Sequence, residues 1–292
     1  MEGRGALMPL TPLQERVLAL LAEGRSPESH LAGAAGIHLS PESPRRSHDL
    51  DLFHDSEKAV ADAFEGDRRA LEEAGLDVGV QLSQPGFIRA VVTDAKESIL
   101  VDWAHDSHWR FMPPVRFEGV GWVLHPVDLA VNKVLALAGR DEPRDYVDVL
   151  YLDEKVLPLG ALIWAAVGKD PGLNPQMLVD LSRRKGRYHS EDFARLDLAR
   201  SFDPVAAKRQ YIEALNSAES WVRERPADEA GCLYVDTTTG RFFAPSAGEE
   251  AAVHRGGPGG VFPQVRGLTT ESFIQSPLLR SELEAFFARK LR

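Results

Sequence analysis

The segment Asp49-Leu-Asp-Leu-Phe53 constrains this chain more than any other stretch. Its alternation of acid and apolar residue is the two-residue period of a strand, which turns successive side chains to opposite faces. Asp49 and Asp51 therefore share one face, while Leu50, Leu52 and Phe53 are placed to face a core. Carboxylates two residues apart on a strand stand roughly 7 Å from each other. They repel unless something positive lies between them. The pattern alone leaves two readings open: a half-buried strand with a solvated polar face, or a pair of oxygen donors for a divalent cation.

The chain has 292 residues, 43% of them hydrophobic and 27% charged, enough for a substantial core and two compact units. No apolar run reaches bilayer length, and the N-terminus lacks a basic-then-apolar signal pattern, so the expected location is cytoplasmic with no membrane partner. The single cysteine, Cys232, excludes an intramolecular disulfide framework and a cysteine-rich zinc site. A formal net charge of −10 argues against a protein coated in nucleic acid, though a local basic site remains compatible with it.

Along the chain, Thr11–Glu23 reads as an amphipathic helix behind a capping threonine. His30–Ala35 reads as a short strand running into a Gly/Ala turn, and Ser40–Pro44 as a loop. After the acidic strand, Ser56–Ala74 is a helix stopped by Gly75, followed by strands at Val78–Leu82, Phe87–Thr93 and Ser98–Trp103 and a last one at Val120–Leu124. From Pro126 the pattern turns helical: Pro126–Ala138, Asp145–Tyr151, Leu159–Val167, Pro175–Arg183, Glu191–Leu198 and Pro204–Glu224. Ala227–Val265 is Gly- and Thr-rich with short β patches, Arg255–Gly260 reads as a flexible loop, and Glu271–Leu291 as a closing helix. The fold class is α+β: a mixed sheet with flanking helices over residues 1–125, a helical domain over 126–224, and a small β-containing segment over 225–292.

Three further features bear on chemistry. Leu31-Ala-Gly-Ala-Ala-Gly36 ends a strand with small residues, letting a phosphate approach backbone N–H groups without a Cβ in the way. Ile99-Leu-Val-Asp102 places a third carboxylate near a strand end, where a turn or cap role is the plainer reading. Lys133 lies in an otherwise apolar helix and must snorkel or meet an anion, while Arg144, Asp145 and Asp148 open the next helix.

Taken together, Gly33-Ala34, Arg45–Phe53, Asp102, Asp128–Lys133 and Arg144–Val149 resemble the motifs of AbiEii/AbiGii-type nucleotidyltransferases. These form a toxin-like branch of the polymerase-β-like superfamily, and the resemblance covers about residues 28–155. It implies a nucleotidyltransferase-type sheet and nucleotidyl transfer from an NTP to an acceptor hydroxyl. Asp49, Asp51 and Asp102 would be the metal ligands for two Mg²⁺, and with Lys133 the catalytic set. Nucleotide contacts would come from Gly33, Ala34, Arg46, Ser47, Lys133, Arg144, Asp145 and Asp148. It further implies a cognate antitoxin and, as acceptor, a tRNA 3′ end, for which Arg183, Arg184, Lys185 and Arg187 are the best basic cluster.

The sequence departs from the family pattern in two places. Ala34 stands where a second Gly or a Ser is usual, and the additional Lys-x-x-x-Thr motif has only Lys58 and Lys96 as positional counterparts. Three alternatives stay open. One is an antibiotic-type transferase acting on a small molecule, and another a non-catalytic NTP- or partner-binding module. The third is a His/Asp metal hydrolase built from His54, Asp55, His105, Asp106, His108 and His125, whose spacing fits no tight zinc motif.

Overall fold

In the computed structural model, which describes residues 10–265, 270 and 277–287, the chain divides into two compact units. One comprises Met1–His108, Pro113–His125 and Glu284–Arg292; the other comprises Trp109–Met112 and Pro126–Leu283.

The first unit opens with α1 (Pro12–Leu21), started by a reciprocal cap in which Thr11 Oγ1 accepts from Gln14 N–H and Gln14 Oε1 accepts from Thr11 N–H. Then follow β1 (Ser29–Ala32), α2 (Gly33–Ile37), β2 (Asp49–His54), α3 (Glu57–Glu73), β3 (Asp77–Gln84), β4 (Phe87–Thr93) and β5 (Ser98–His105). After β6 (Trp109–Arg110), which lies in the second unit, come β7 (Val115–Phe117) and β8 (Gly121–Val123). The seven strands of this unit form a mixed sheet in the order β3-β4-β5-β2-β1-β8-β7, so the expected α+β fold is what the structure shows. The acidic strand β2 is interior, antiparallel to β1 and parallel to β5. A parallel pair needs a long crossover, here supplied by α3, β3 and β4.

Period-two patterning decides which face of β2 is wet. Leu50, Leu52 and His54 are buried, whereas Asp49, Asp51 and Phe53 are half-buried on the other side. Phe53 is thus a correction to the sequence reading: strict alternation gives its core position to His54. Across the register, Leu50 pairs with Val101 and Leu52 with Trp103, all fully or almost fully buried. Helix α3 covers this sheet with Val60, Phe64, Asp67 and Leu71, spaced as one helical stripe. Phe64 meets Trp103 edge-on at 5.0 Å. The Trp103 indole donates to Asp67 Oδ2 at 2.7 Å, and Arg25 pairs with the other oxygen of the same carboxylate.

The second unit is helical around α4 (Pro126–Gly139), α5 (Pro143–Lys155), α6 (Leu159–Lys169), α7 (Pro175–Lys185), the single-turn α8 (Ser190–Phe193) and α9 (Pro204–Arg223). α4 and α6 are buried over most of their length, as hydrophobicity on nearly all sides requires. A small sheet, β10-β9-β11, is made from β9 (Leu233–Val235), β10 (Phe242–Phe243) and β11 (Ala252–His254). β12 (Gly257–Pro258) pairs with β6. The last described helix is α10 (Pro277–Phe287).

Four expectations need correction. The strand expected over 30–35 ends at Ala32, because Gly33 at φ +57° turns the chain directly into α2. The helix expected from Asp145 begins two residues earlier, where Pro143 supplies a first-turn residue that needs no N–H partner. The helix expected over 191–198 is one turn only; beyond Phe193 the chain runs into successive tight turns, with Leu196 N–H bonding Phe193 C=O and Leu198 N–H bonding Leu196 C=O. The Arg255–Gly260 segment is tied into a two-stranded sheet: a Cβ on Gly256 would lie 2.6 Å from the Arg110 carbonyl oxygen, so only glycine permits this approach. Of the closing helix expected over 271–291, residues 271–276 and 288–291 lie outside the described residues.

His54 is fully buried and neither ring nitrogen has a hydrogen-bond partner. Burial first, and the Arg25 charge second, push its pKa down to about 3 from 6.5. The unfolded chain therefore takes up a proton as pH falls below 6.5 while the folded chain does not, so this residue removes stability progressively between pH 6.5 and pH 3. Between pH 7.5 and 5 the wild type is expected to lose about 2 kcal/mol from this source. Urea unfolding of wild type and His54→Leu at both pH values checks it; an equal loss in both proteins would refute the assignment.

Candidate active site

The sheet register brings the three sequence-predicted acids of the first unit onto one face. Asp51 on β2 pairs with Asp102 on β5, Asp102 pairs with Arg89 on β4, and Asp51 pairs with Ala32 on β1. Residues paired across a ladder point the same way, so Arg89, Asp102 and Asp51 form a row, with Asp49 one pleat away. Arg89 grips Asp102 with two hydrogen bonds, Nε to Oδ1 at 2.7 Å and Nη2 to Oδ2 at 2.6 Å. Its side chain is 41% exposed, that of Asp102 only 8%. The bond to Asp102, opposed by partial desolvation and aided by the charges of Asp102, Asp49 and Asp51, holds Arg89 more firmly protonated than an ordinary arginine. All three acids therefore act on Arg89. Sequence reasoning missed Arg89; the available signal was a lone charge at an alternate position of an otherwise β-branched strand.

Behind this row, Gly33 sits against Asp51. A β-carbon built on Gly33 would overlap the Asp51 carboxylate, and its φ of +57° is itself a conformation that favours glycine. Ala34, beside it, is buried. Ser47 is also buried and donates its hydroxyl to Asp49 Oδ1, fixing that carboxylate, while its carbonyl accepts from Gln14 Nε2 at 2.8 Å. Arg46 is half-buried, and its carbonyl accepts from Arg45 Nη1 at 3.2 Å.

The second unit holds the other predicted residues. Lys133, 7% exposed, places Nζ 2.9 Å from Asp145 and 3.2 Å from Asp148, both fully buried. Asp145 also receives Arg140 Nε at 2.6 Å and Nη2 at 3.0 Å. Burial raises the Asp145 pKa, but the Arg140 hydrogen bonds and the Lys133 charge outweigh it and leave its carboxyl below the usual range. The arginine that grips Asp145 is Arg140, and Arg144 Nε lies 3.7 Å from Glu142. Asp128 is a backbone anchor: it accepts from Phe111 N–H at 2.8 Å and Met112 N–H at 2.9 Å, with Lys169 3.3 Å away.

In the basic cluster, Arg183 is engaged by Glu219 and Asn216, while Arg184 and Arg187 are exposed on and beyond the end of α7. Of the histidine set, His108 lies 3.3 Å from Asp55, whereas His54 is sealed in the core. As the side chains stand, no three His, Cys, Asp or Glu among the described residues converge closely enough to hold a metal ion. The Asp49, Asp51 and Asp102 set still fits a divalent cation by chemistry, since carboxylate oxygens are the donors that Mg²⁺ takes. Arg89 is already drawn to the same charges. No helix among the described residues is long and apolar enough to cross a membrane.

The family described as nucleotidyl transferase AbiEii toxin, type IV toxin–antitoxin system, matches residues 21–229. Among solved structures, MenT4, a nucleotidyltransferase toxin from Mycobacterium tuberculosis H37Rv, is similar at 16% identity with a TM-score of 0.54, over 74% of this chain and 83% of that one. This likeness concerns the fold. JHP933 from Helicobacter pylori aligns over 77% of this chain and 96% of its own, at 15% identity and a TM-score of 0.43. No curated protein matches the chain.

Two outcomes follow from the packing. Gly33→Ala should cost roughly 1–3 kcal/mol in urea unfolding. Combined with Asp51→Ala, which removes the carboxylate it would strike, the loss should be smaller than the sum of the single losses; simple additivity would show that the two residues do not compete for space. Lys133→Ala leaves two buried carboxylates short of a counter-charge and should cost about 3 kcal/mol. A loss under about 0.5 kcal/mol, the range of surface substitutions, would contradict the buried triad.

Proposed function

The chain belongs to the AbiEii nucleotidyl transferase toxin family, and from that premise we propose that it moves a nucleotidyl group from an NTP to an acceptor hydroxyl at the Asp49, Asp51 and Asp102 row. The observation that carries this reading is the register, which aligns Asp51 with Asp102 on one sheet face, Asp49 one pleat away, and Gly33 backing the Asp51 carboxylate. Transfer at an α-phosphorus needs negative charge offset on the attacking and leaving oxygens. Mg²⁺ supplies that offset when bound to such carboxylates, and lowers the pKa of the attacking hydroxyl.

The chain's own residues do the rest. Asp49, held by Ser47, and Asp51, seated on Gly33, present oxygens from a rigid strand. Asp102 accepts the proton of the acceptor hydroxyl. The absent side chain at Gly33 lets the backbone approach a phosphate, with Ala34, Arg46 and Ser47 lining the same segment. Lys133 offers charge to the triphosphate. Asp145 and Asp148 take two of its three N–H directions and fix the ammonium in place. Arg144 contacts the nucleotide from the start of α5.

The acceptor we propose is a tRNA 3′ end, gripped at its phosphates by Arg184, Lys185 and Arg187 with Arg183 behind them. A cognate antitoxin is the expected protein partner, and the reaction belongs to the cytoplasm.

Labelled NTPs presented with tRNA or with aminoglycoside-type small molecules test the reaction and its acceptor together. Wild type should label tRNA, and Asp51→Ala should fall by at least about a hundredfold, the scale of losing a charge-stabilising contact. Retention of most activity in Asp51→Ala would remove the metal-ligand assignment. Labelling of the small molecule alone, without tRNA binding at low salt, would replace the RNA acceptor.

A further inference from the structure

Outside the residues already given a role, Arg89 is a charged side chain engaged on the acid face. Its partner choice is specific. The guanidinium fork meets both oxygens of Asp102 at hydrogen-bond distance, and this is the geometry that most fully satisfies a carboxylate. The two ends of the pair differ in accessibility: Asp102 is 8% exposed and Arg89 41%. Arg89 therefore reaches the row from its solvent side, its guanidinium 5.5 Å from the centre of the Phe87 ring on the same strand. More than a third of its side-chain surface is open to water. An arginine that only stapled β4 to β5 would not be needed, because seven residue pairs already join those strands in unbroken register.

We propose that Arg89 is a built-in counter-ion that competes with a divalent cation for Asp102, so that it sets the metal affinity of the acid row. In the metal-free protein it offsets the mutual repulsion of Asp49, Asp51 and Asp102 and keeps Asp102 aimed along the row. A divalent cation that takes Asp102 must displace the guanidinium, whose exposed position lets it swing to solvent or to an anionic substrate. The acid row then binds metal weakly unless an anion arrives to receive Arg89, which couples metal loading to the presence of an NTP. This inference rests on the proposed role of the three acids and adds a residue and a regulation that the role itself does not contain. Arg89 is a positioning residue in this scheme, since it acts through Asp102.

The sign of one substitution separates competition from simple support. Mn²⁺ binding to the full chain, followed by loss of the free-ion signal in electron paramagnetic resonance, reads affinity without any turnover. Removing a competing cation within about 4 Å of a ligand should tighten binding, so Arg89→Gln is expected to reach half saturation at about tenfold lower Mn²⁺ than wild type. Arg89→Lys keeps the charge but not the fork, and should fall between the two. Adding Asp102→Asn to Arg89→Gln should abolish the gain. Equal or weaker binding by Arg89→Gln, with the circular dichroism spectrum unchanged, would overturn the proposal, because a mere support would loosen Asp102 and lower affinity. Should Asp49→Asn/Asp51→Asn bind Mn²⁺ as wild type does, the acid row itself is not the metal site, and the functional reading fails rather than the role of Arg89 alone. If NTP addition leaves wild-type Mn²⁺ affinity unchanged while Arg89→Gln is tighter, the coupling to substrate is overturned and the competition stands.

Discussion

Three carboxylates on one face of a sheet repel one another, and the first unit folds only because other contacts hold them there. The apolar face does most of that work. Leu50, Leu52, Val101 and Trp103 lose almost all contact with water, and each such side chain is worth roughly 1.5–3 kcal/mol when buried. Because the strand period is two, this burial fixes the register, and the same register forces Asp51 opposite Asp102. A one-residue slip would relieve the repulsion but would drive the acids into the core and the leucines into water. The acid row is thus the reverse side of a hydrophobic constraint, with Arg89 and Ser47 moderating what the constraint imposes.

Much of this arrangement was legible in the sequence because it obeys short-range rules. The alternation in Asp49–Phe53 named the strand and its polar face, Thr11 and Ser56 announced helix starts, and the Gly33 motif marked a close approach. What escaped was set by partners distant in the chain. Arg89 acquires meaning only when β4 lies beside β5. Gly256 looked like an ordinary loop residue until Arg110 and Trp109 were set against it. His54 was read as a metal candidate by its type, whereas its place in the alternation made it core.

The two charged clusters of the molecule are built differently. In the second unit Lys133 and Arg140 stand against Asp145 and Asp148, so the formal charges cancel, and all but Arg140 are buried. A neutral, enclosed network of this kind favours a single geometry over a strong field. In the first unit the row of acids meets Arg89, whose side chain is partly open to water. The Lys133 cluster is suited to being fixed and the acid row to recruiting positive charge from outside.

The order in which the chain visits its two units has a consequence for synthesis. Residues 109–112 interrupt the first unit to join the second, where β6 finds its strand partner only at Gly257–Pro258. Phe117, on an outer strand of the acid-bearing sheet, is covered by Phe287, whose ring lies 4.5 Å away. Domains tend to form as units while the chain emerges from the ribosome. Here neither can be completed until residues more than a hundred positions further on have been made. A ribosome-bound intermediate would carry an assembled acid row beside an uncovered aromatic surface, the sort of species that chaperones recognise and that aggregates when they are absent.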